Sequence, residues 1–234
     1  MADRARFGHM DPRPSVLVFD VNETLLDLRA FRPQMAEVLG SADLVGEWFA
    51  RLLHGSLLAN ELNRHRPFGQ IGVEVLMTMA RNRGLDVSEE QALEVVATLR
   101  ALPAHPDAAP GLGRLQVMGF RLVTLTNGSA DAVADQLEFA GLAHYFERSF
   151  SVDAVERFKP AAAAYEYALA ELEVPAPQAM MVAAHDWDIM GARQAGLPGA
   201  FLARSPAGWR SPDPPPPTVA SDLEQLATLL ETWV

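Results

Sequence analysis

The chain has 234 residues, 49% of them hydrophobic, which suffices to bury the core of one large domain or of a domain carrying an insertion. Its 19 basic and 30 acidic residues give a net charge of −11, which argues against nucleic acid and anionic membranes as partners but leaves room for a locally positive pocket. Without cysteine, disulfides, thiolate metal sites and cysteine nucleophiles are excluded.

The charged start, MADRARFGHMDPRP, lacks the apolar stretch of a secretory leader, and residues 1–14 read as a tail in which Met10 is an alternative start. No apolar run is long enough to cross a bilayer, and a cytoplasmic home fits. Val16-Leu-Val-Phe19 reads as a buried parallel strand that stops at Asp20, with Asn22 and Thr24 just beyond. Next comes a helical block. Leu44, Val45, Trp48, Phe49, Leu52 and Leu53 form one apolar stripe. Val73, Leu76, Met77 and Ala80 form a second, and Leu93, Val96, Leu99 and Leu102 a third, opened by a capping box at Ser88. Leu102 to Gly111, with three prolines, interrupts the helical rhythm.

From there strand and helix alternate. Strands are expected at Arg121–Thr126, around Phe150–Val152, and at Ala179–Ala184 and Ala200–Ala203. Helices are expected at Ala130–Ala140, Ala161–Leu172, Trp187–Ala195 and Asp222–Trp233. Ser211 to Thr218 reads as an extended surface connector. This is a doubly wound parallel α/β sheet, a Rossmann-like core of residues 15–28 and 104–234, with an α-helical cap inserted at 29–103. The apolar cap stripes leave a homodimer open, although such stripes are more often simple core.

Ligands of an open parallel sheet bind at the carboxyl ends of its strands. Those ends carry Asp20, Thr126-Asn127-Gly128-Ser129 and His185-Asp186-Trp187-Asp188, and a further loop carries Lys159-Pro160. Each piece has a bland reading as turn chemistry, helix cap or solvated loop. Two carboxylates, a lysine and amide and hydroxyl donors at one sheet edge are harder to explain as capping alone.

Asp20-x-x-x-Thr24, Leu125-Thr126-Asn127-Gly128, Lys159-Pro160 and Asp188, in this order, resemble the four motifs of the haloacid dehalogenase superfamily. The resemblance implies that Asp20 is a nucleophile forming a covalent aspartyl intermediate, that Lys159 keeps it ionised, and that Thr24 and Asn127 orient it or the substrate. Most members are Mg²⁺-dependent phosphatases, with a second Asp two residues after the nucleophile and a metal-ligating Asp five before the position of Asp188. Here those positions hold Asn22 and Ala183, so a reaction without metal or cofactor is expected.

The metal-free branch with such a cap resembles L-2-haloacid dehalogenases, which implies a small haloacid substrate and water activated near Asp188. The match is incomplete. Those enzymes carry an aromatic residue where this chain has Asn22, and a halide-binding Arg where Phe49 follows Trp48. Their Ser and Asn correspond to Ala183 and His185. Asn22, Thr126, His185, Phe49 and Arg51 are therefore the candidate substrate contacts. A phosphatase with a degenerate metal site and a non-catalytic binding protein are the competing readings.

Overall fold

The computed structural model describes residues 13–205 and 208–232; the expected tail through residue 12, with Met10, and the expected helix end at Trp233 lie outside them. Six strands, β1 (Val16–Phe19), β2 (Arg121–Thr126), β3 (Arg148–Ser151), β4 (Ala179–Ala183), β5 (Gly199–Leu202) and β6 (Thr218–Ala220), form one parallel sheet in the order β3-β2-β1-β4-β5-β6. β1 and β4 are buried along their whole length, which is why both read as unbroken apolar runs.

Between β1 and the later strands lie α1 (Arg32–Leu39), α2 (Val45–Glu61), α3 (Phe68–Asn82) and α4 (Glu89–Ala97), so the stretch read as an insertion is helical. Trp48 is fully buried and donates its indole N–H to Gly72 O (3.0 Å), tying α2 to α3. The Ser88–Gln91 capping box forms as expected. The core helices are α5 (Ala108–Val117), α6 (Ala130–Phe139), α7 (Ala162–Leu172), α8 (Asp186–Gln194) and α9 (Leu223–Glu231).

Two elements depart from the sequence expectation. The proline stretch breaks the chain only as far as Asp107; α5 then begins at Ala108 and takes Pro110 into its first turn, where no intrahelical N–H bond is lost. The connector ends in β6, a three-residue strand that begins just past the last proline, whose missing N–H cannot serve a sheet.

Strand order reverses between β1 and β4, the crevice where doubly wound sheets bind ligands. Phe19 lies level with Thr124 of β2 and Val182 of β4. Asp20, Thr126-Asn127 and the turn into α8 therefore emerge along one edge.

Candidate active site

Asp20 is only 6% exposed, and both its oxygens are occupied. Lys159 Nζ donates to Oδ1 (2.9 Å), while Thr24 Oγ1 donates to Oδ2 (2.8 Å). His185 Nδ1 lies 3.1 Å from the same Oδ2. Thr24 Oγ1 in turn accepts the N–H of Ala184 (2.9 Å), so its hydroxyl proton is committed to Asp20. Burial opposes ionisation of Asp20, but the Lys159 charge and the His185 contact outweigh it and hold the carboxyl below the ordinary carboxylate range.

Lys159 is 1% exposed, and its ammonium reaches Asp188 Oδ2 (2.7 Å) and Leu125 O (2.8 Å) as well as Asp20. Against the cost of burial, the carboxylates of Asp188 and Asp20 raise its pKa, so it stays charged. Asp188 is fully buried; its Oδ1 accepts from Tyr165 Oη (2.6 Å) and its Oδ2 from Lys159. Burial, with the nearby Asp20 charge, pushes the Asp188 pKa upward against the pull of Lys159. α8 packs tightly here: a Cβ on Gly191 would stand 2.5 Å from Pro160 Cβ and 2.7 Å from Tyr165 Oη.

The sequence places water activation near Asp188, which the structure sets against Lys159 and Tyr165. With no exposure and with both oxygens engaged, Asp188 anchors Lys159. His185, at the turn into α8, shares Oδ2 of Asp20 with Thr24. That imidazole lies between the rings of Phe49 and Trp187, at centroid distances of 5.6 and 5.2 Å, and its Nε2 is 2.8 Å from Glu23 Oε2. Burial would lower its pKa, but hydrogen bonds to Asp20 and Glu23 push it up to about 10.

This shift has a consequence for stability. The folded pKa exceeds the ordinary value of 6.5, so the stabilisation from His185 is complete below that value and disappears as pH rises towards 10. Denaturant unfolding between pH 6 and 10 is therefore expected to show a decline in stability that is reduced in His185→Gln.

Other candidate residues lie as follows. Asn127 Oδ1 accepts the Lys159 N–H (2.8 Å), and its buried Nδ2 finds no partner among the described residues. Thr126 Oγ1 accepts the Gly128 N–H, which shapes the turn after β2. Asn22 is turned to α6, where its Oδ1 accepts from Gln136 Nε2 (3.0 Å). Arg51 is half-exposed and paired with Glu47 (2.8 Å), so the structure does not bring it to Asp20. Asn60 of α2 joins cap to core: its Oδ1 accepts the Phe158 N–H (3.0 Å) and its Nδ2 donates to Phe158 O (2.8 Å).

Glu23 and Tyr165 were not among the candidates. Glu23 has φ +62, an uncommon left-handed conformation, in the turn where the N–H groups of Leu25 and Leu26 both return to Val21 O. A carboxylate three residues past the nucleophile was the available signal. For Tyr165, it was one of two phenols in an alanine-rich helix, since a phenol needs a partner once buried.

A divalent cation does not fit this donor set. Ala183 offers no side-chain oxygen, while Lys159 and charged His185 occupy the carboxylate oxygens that would hold a metal.

A family model described as a haloacid dehalogenase-like hydrolase matches residues 14–196. The (S)-2-haloacid dehalogenase 1 of Pseudomonas sp. (strain CBS-3) is 29% identical over 190 residues, covering 80% of this chain and 83% of its own. A solved L-2-haloacid dehalogenase aligns with a TM-score of 0.88 at 25% identity, over 94% of this chain and 99% of that one. The fold is also that of the Xanthobacter autotrophicus L-2-haloacid dehalogenase with chloropropionic acid covalently bound, at TM-score 0.87 and 22% identity over 94% and 100% of the two chains. The family match spans all four motifs assembled around Asp20, and the chain belongs to the haloacid dehalogenase-like hydrolases.

Proposed function

We propose that the protein hydrolyses the carbon–halogen bond of short 2-haloacids through an aspartyl ester at Asp20, without a metal. The observation that carries this reading is a buried carboxylate held ionised at the switch point by Lys159, in a chain whose relatives are named for this reaction. An oxygen of Asp20 attacks the α-carbon from the side opposite the halogen. The C–O bond forms as the C–X bond breaks, halide departs with the bonding pair, and configuration inverts. Halide leaves unprotonated, so no acid is required at Asn22. The unpartnered Nδ2 of Asn127 is a donor for the substrate carboxylate, and Phe49 supplies an apolar wall.

Alkylation removes the charge of Asp20, and His185 loses one of its two anionic partners. Its pKa falls, and the Nδ1 proton passes to solvent while Nε2–H stays on Glu23. Nδ1 then takes a proton from water as the water oxygen attacks the ester carbonyl carbon. Lys159, on Oδ1, is a cation available to the developing oxyanion. Collapse expels the 2-hydroxy acid oxygen, which takes the proton from Nδ1. The Asp20 carboxylic acid returns its proton to His185, restoring the resting ion pair.

The direct test is halide release from (S)-2-chloropropanoate and fluoroacetate in the presence of a chelator. Release unaffected by chelator is expected. Phosphate release from phosphate esters that requires Mg²⁺, with no halide release, would overturn the reading.

A further inference from the structure

The nucleophile turn is held from behind by side chains that never meet the reacting atoms. Arg204, just past β5, directs Nε (3.1 Å) and Nη2 (2.9 Å) at one acceptor, the carbonyl of Thr24. Its Nη1 donates to Asp107 Oδ1 (2.6 Å), a largely buried ion pair. Asp107 precedes α5 but does not cap it; its Oδ2 instead accepts the N–H of Leu223, the first residue of α9 (2.8 Å). Burial resists ionisation of Asp107, but the Arg204 hydrogen bond and the Leu223 N–H hold its pKa below the ordinary value. One residue earlier in the turn, His105 Nε2 lies 3.1 Å from the Glu23 carbonyl.

From this geometry we infer that Arg204, fixed by Asp107, is a positioning residue that sets the turn carrying Glu23 and Thr24. The reason lies in the peptide planes. The Thr24 carbonyl points to Arg204 while its side chain serves Asp20, so the guanidinium fixes the rotation of the residue that orients the nucleophile. Glu23 is held in a left-handed conformation that a non-glycine residue does not prefer, and only in that turn does its carboxylate meet His185. Released from Arg204, the turn has a route to more ordinary backbone, which takes Glu23 from the imidazole. Lysine cannot replace arginine here, since one ammonium lacks the planar fork that serves Thr24 and Asp107 together.

This inference rests on the proposed role of Asp20, so its test includes a readout that needs no substrate. The NMR titration of His185 and steady-state halide release are compared in wild type, Arg204→Gln, Arg204→Lys and Asp107→Asn, with Arg148→Gln as a surface control. In folded Arg204→Gln the His185 pKa is expected to fall by about one to three units, the effect of losing a close opposite charge. Its kcat is expected to fall by roughly 100-fold with KM nearly unchanged, as for a nucleophile displaced from its line of attack. Arg204→Lys should recover only part of either effect. If Arg204→Gln does not fold, Asp107→Asn provides the same comparison with the arginine retained. An unchanged His185 titration in a folded Arg204 or Asp107 variant overturns the inference, whether or not the wild type releases halide. A lowered melting temperature with both readouts intact would assign Arg204 to stability alone.

Discussion

Asp20→Asn is expected to release no halide, a loss of roughly 10⁴-fold or more, because an amide oxygen is a poor nucleophile at saturated carbon. The protein should still fold. Lys159 keeps Asp188 Oδ2 and Leu125 O, and His185 keeps Glu23, so neither cation is left without a partner. Removing one partner of a buried pair commonly costs about 3–5 kcal/mol when the other charge is stranded, which is not the situation here. Halide ion chromatography alongside thermal unfolding separates the two effects. In heavy-oxygen water, the first turnover of the wild type should place the label in Asp20 rather than in the product, because water attacks the ester carbonyl. Label found only in the product after a single turnover would show direct displacement by water and remove Asp20 as nucleophile.

His185→Gln is expected to separate the two half-reactions. Glutamine retains hydrogen-bonding capacity but cannot accept a proton from water, and general-base assistance is typically worth about 10²–10⁴-fold. Alkylation involves no proton transfer to His185, so the variant should release close to one halide per enzyme in a burst and then stall. The stalled protein should be heavier by one substrate less its halide, with the added mass on the peptide containing Asp20. Glu23→Gln should show the same defect in milder form, because the imidazole remains but its supporting charge is gone. Steady turnover by His185→Gln without an adduct would return water activation to Asp188.

What could be read from the sequence was chiefly the chemistry that follows an apolar run within a few residues; Lys159, in a loop, was legible only as part of the ordered motif set. Asp20, Asn127 and Asp188 were visible because parallel strands present their carboxyl ends together, so register alone gathers those positions. Arg51 shows the limit of reasoning by proximity in sequence. Two residues past Phe49 is about 200° around a helix, which turns Arg51 to the solvent side beside Glu47. Asn22 was equally near the nucleophile but faces Gln136. Arg204 and Asp107 could not be foreseen, since their partners Thr24 and Leu223 are joined to them only through the folded topology. β6 was hidden by its length and by the prolines before it.

Asn60 spends both ends of its amide on Phe158, the residue immediately before Lys159, and does so from the helix that also carries Phe49. Parting α2 from the Phe158 loop breaks these two hydrogen bonds, each worth about 1 kcal/mol, together with the one from Arg157 Nη1 to Asn60 O, and frees the peptide from which the lysine springs. It also withdraws one wall from His185. The support of the lysine's peptide and one wall of the imidazole's niche thus hang on a single helix, so damage to the seat of α2 reaches both cations that flank Asp20.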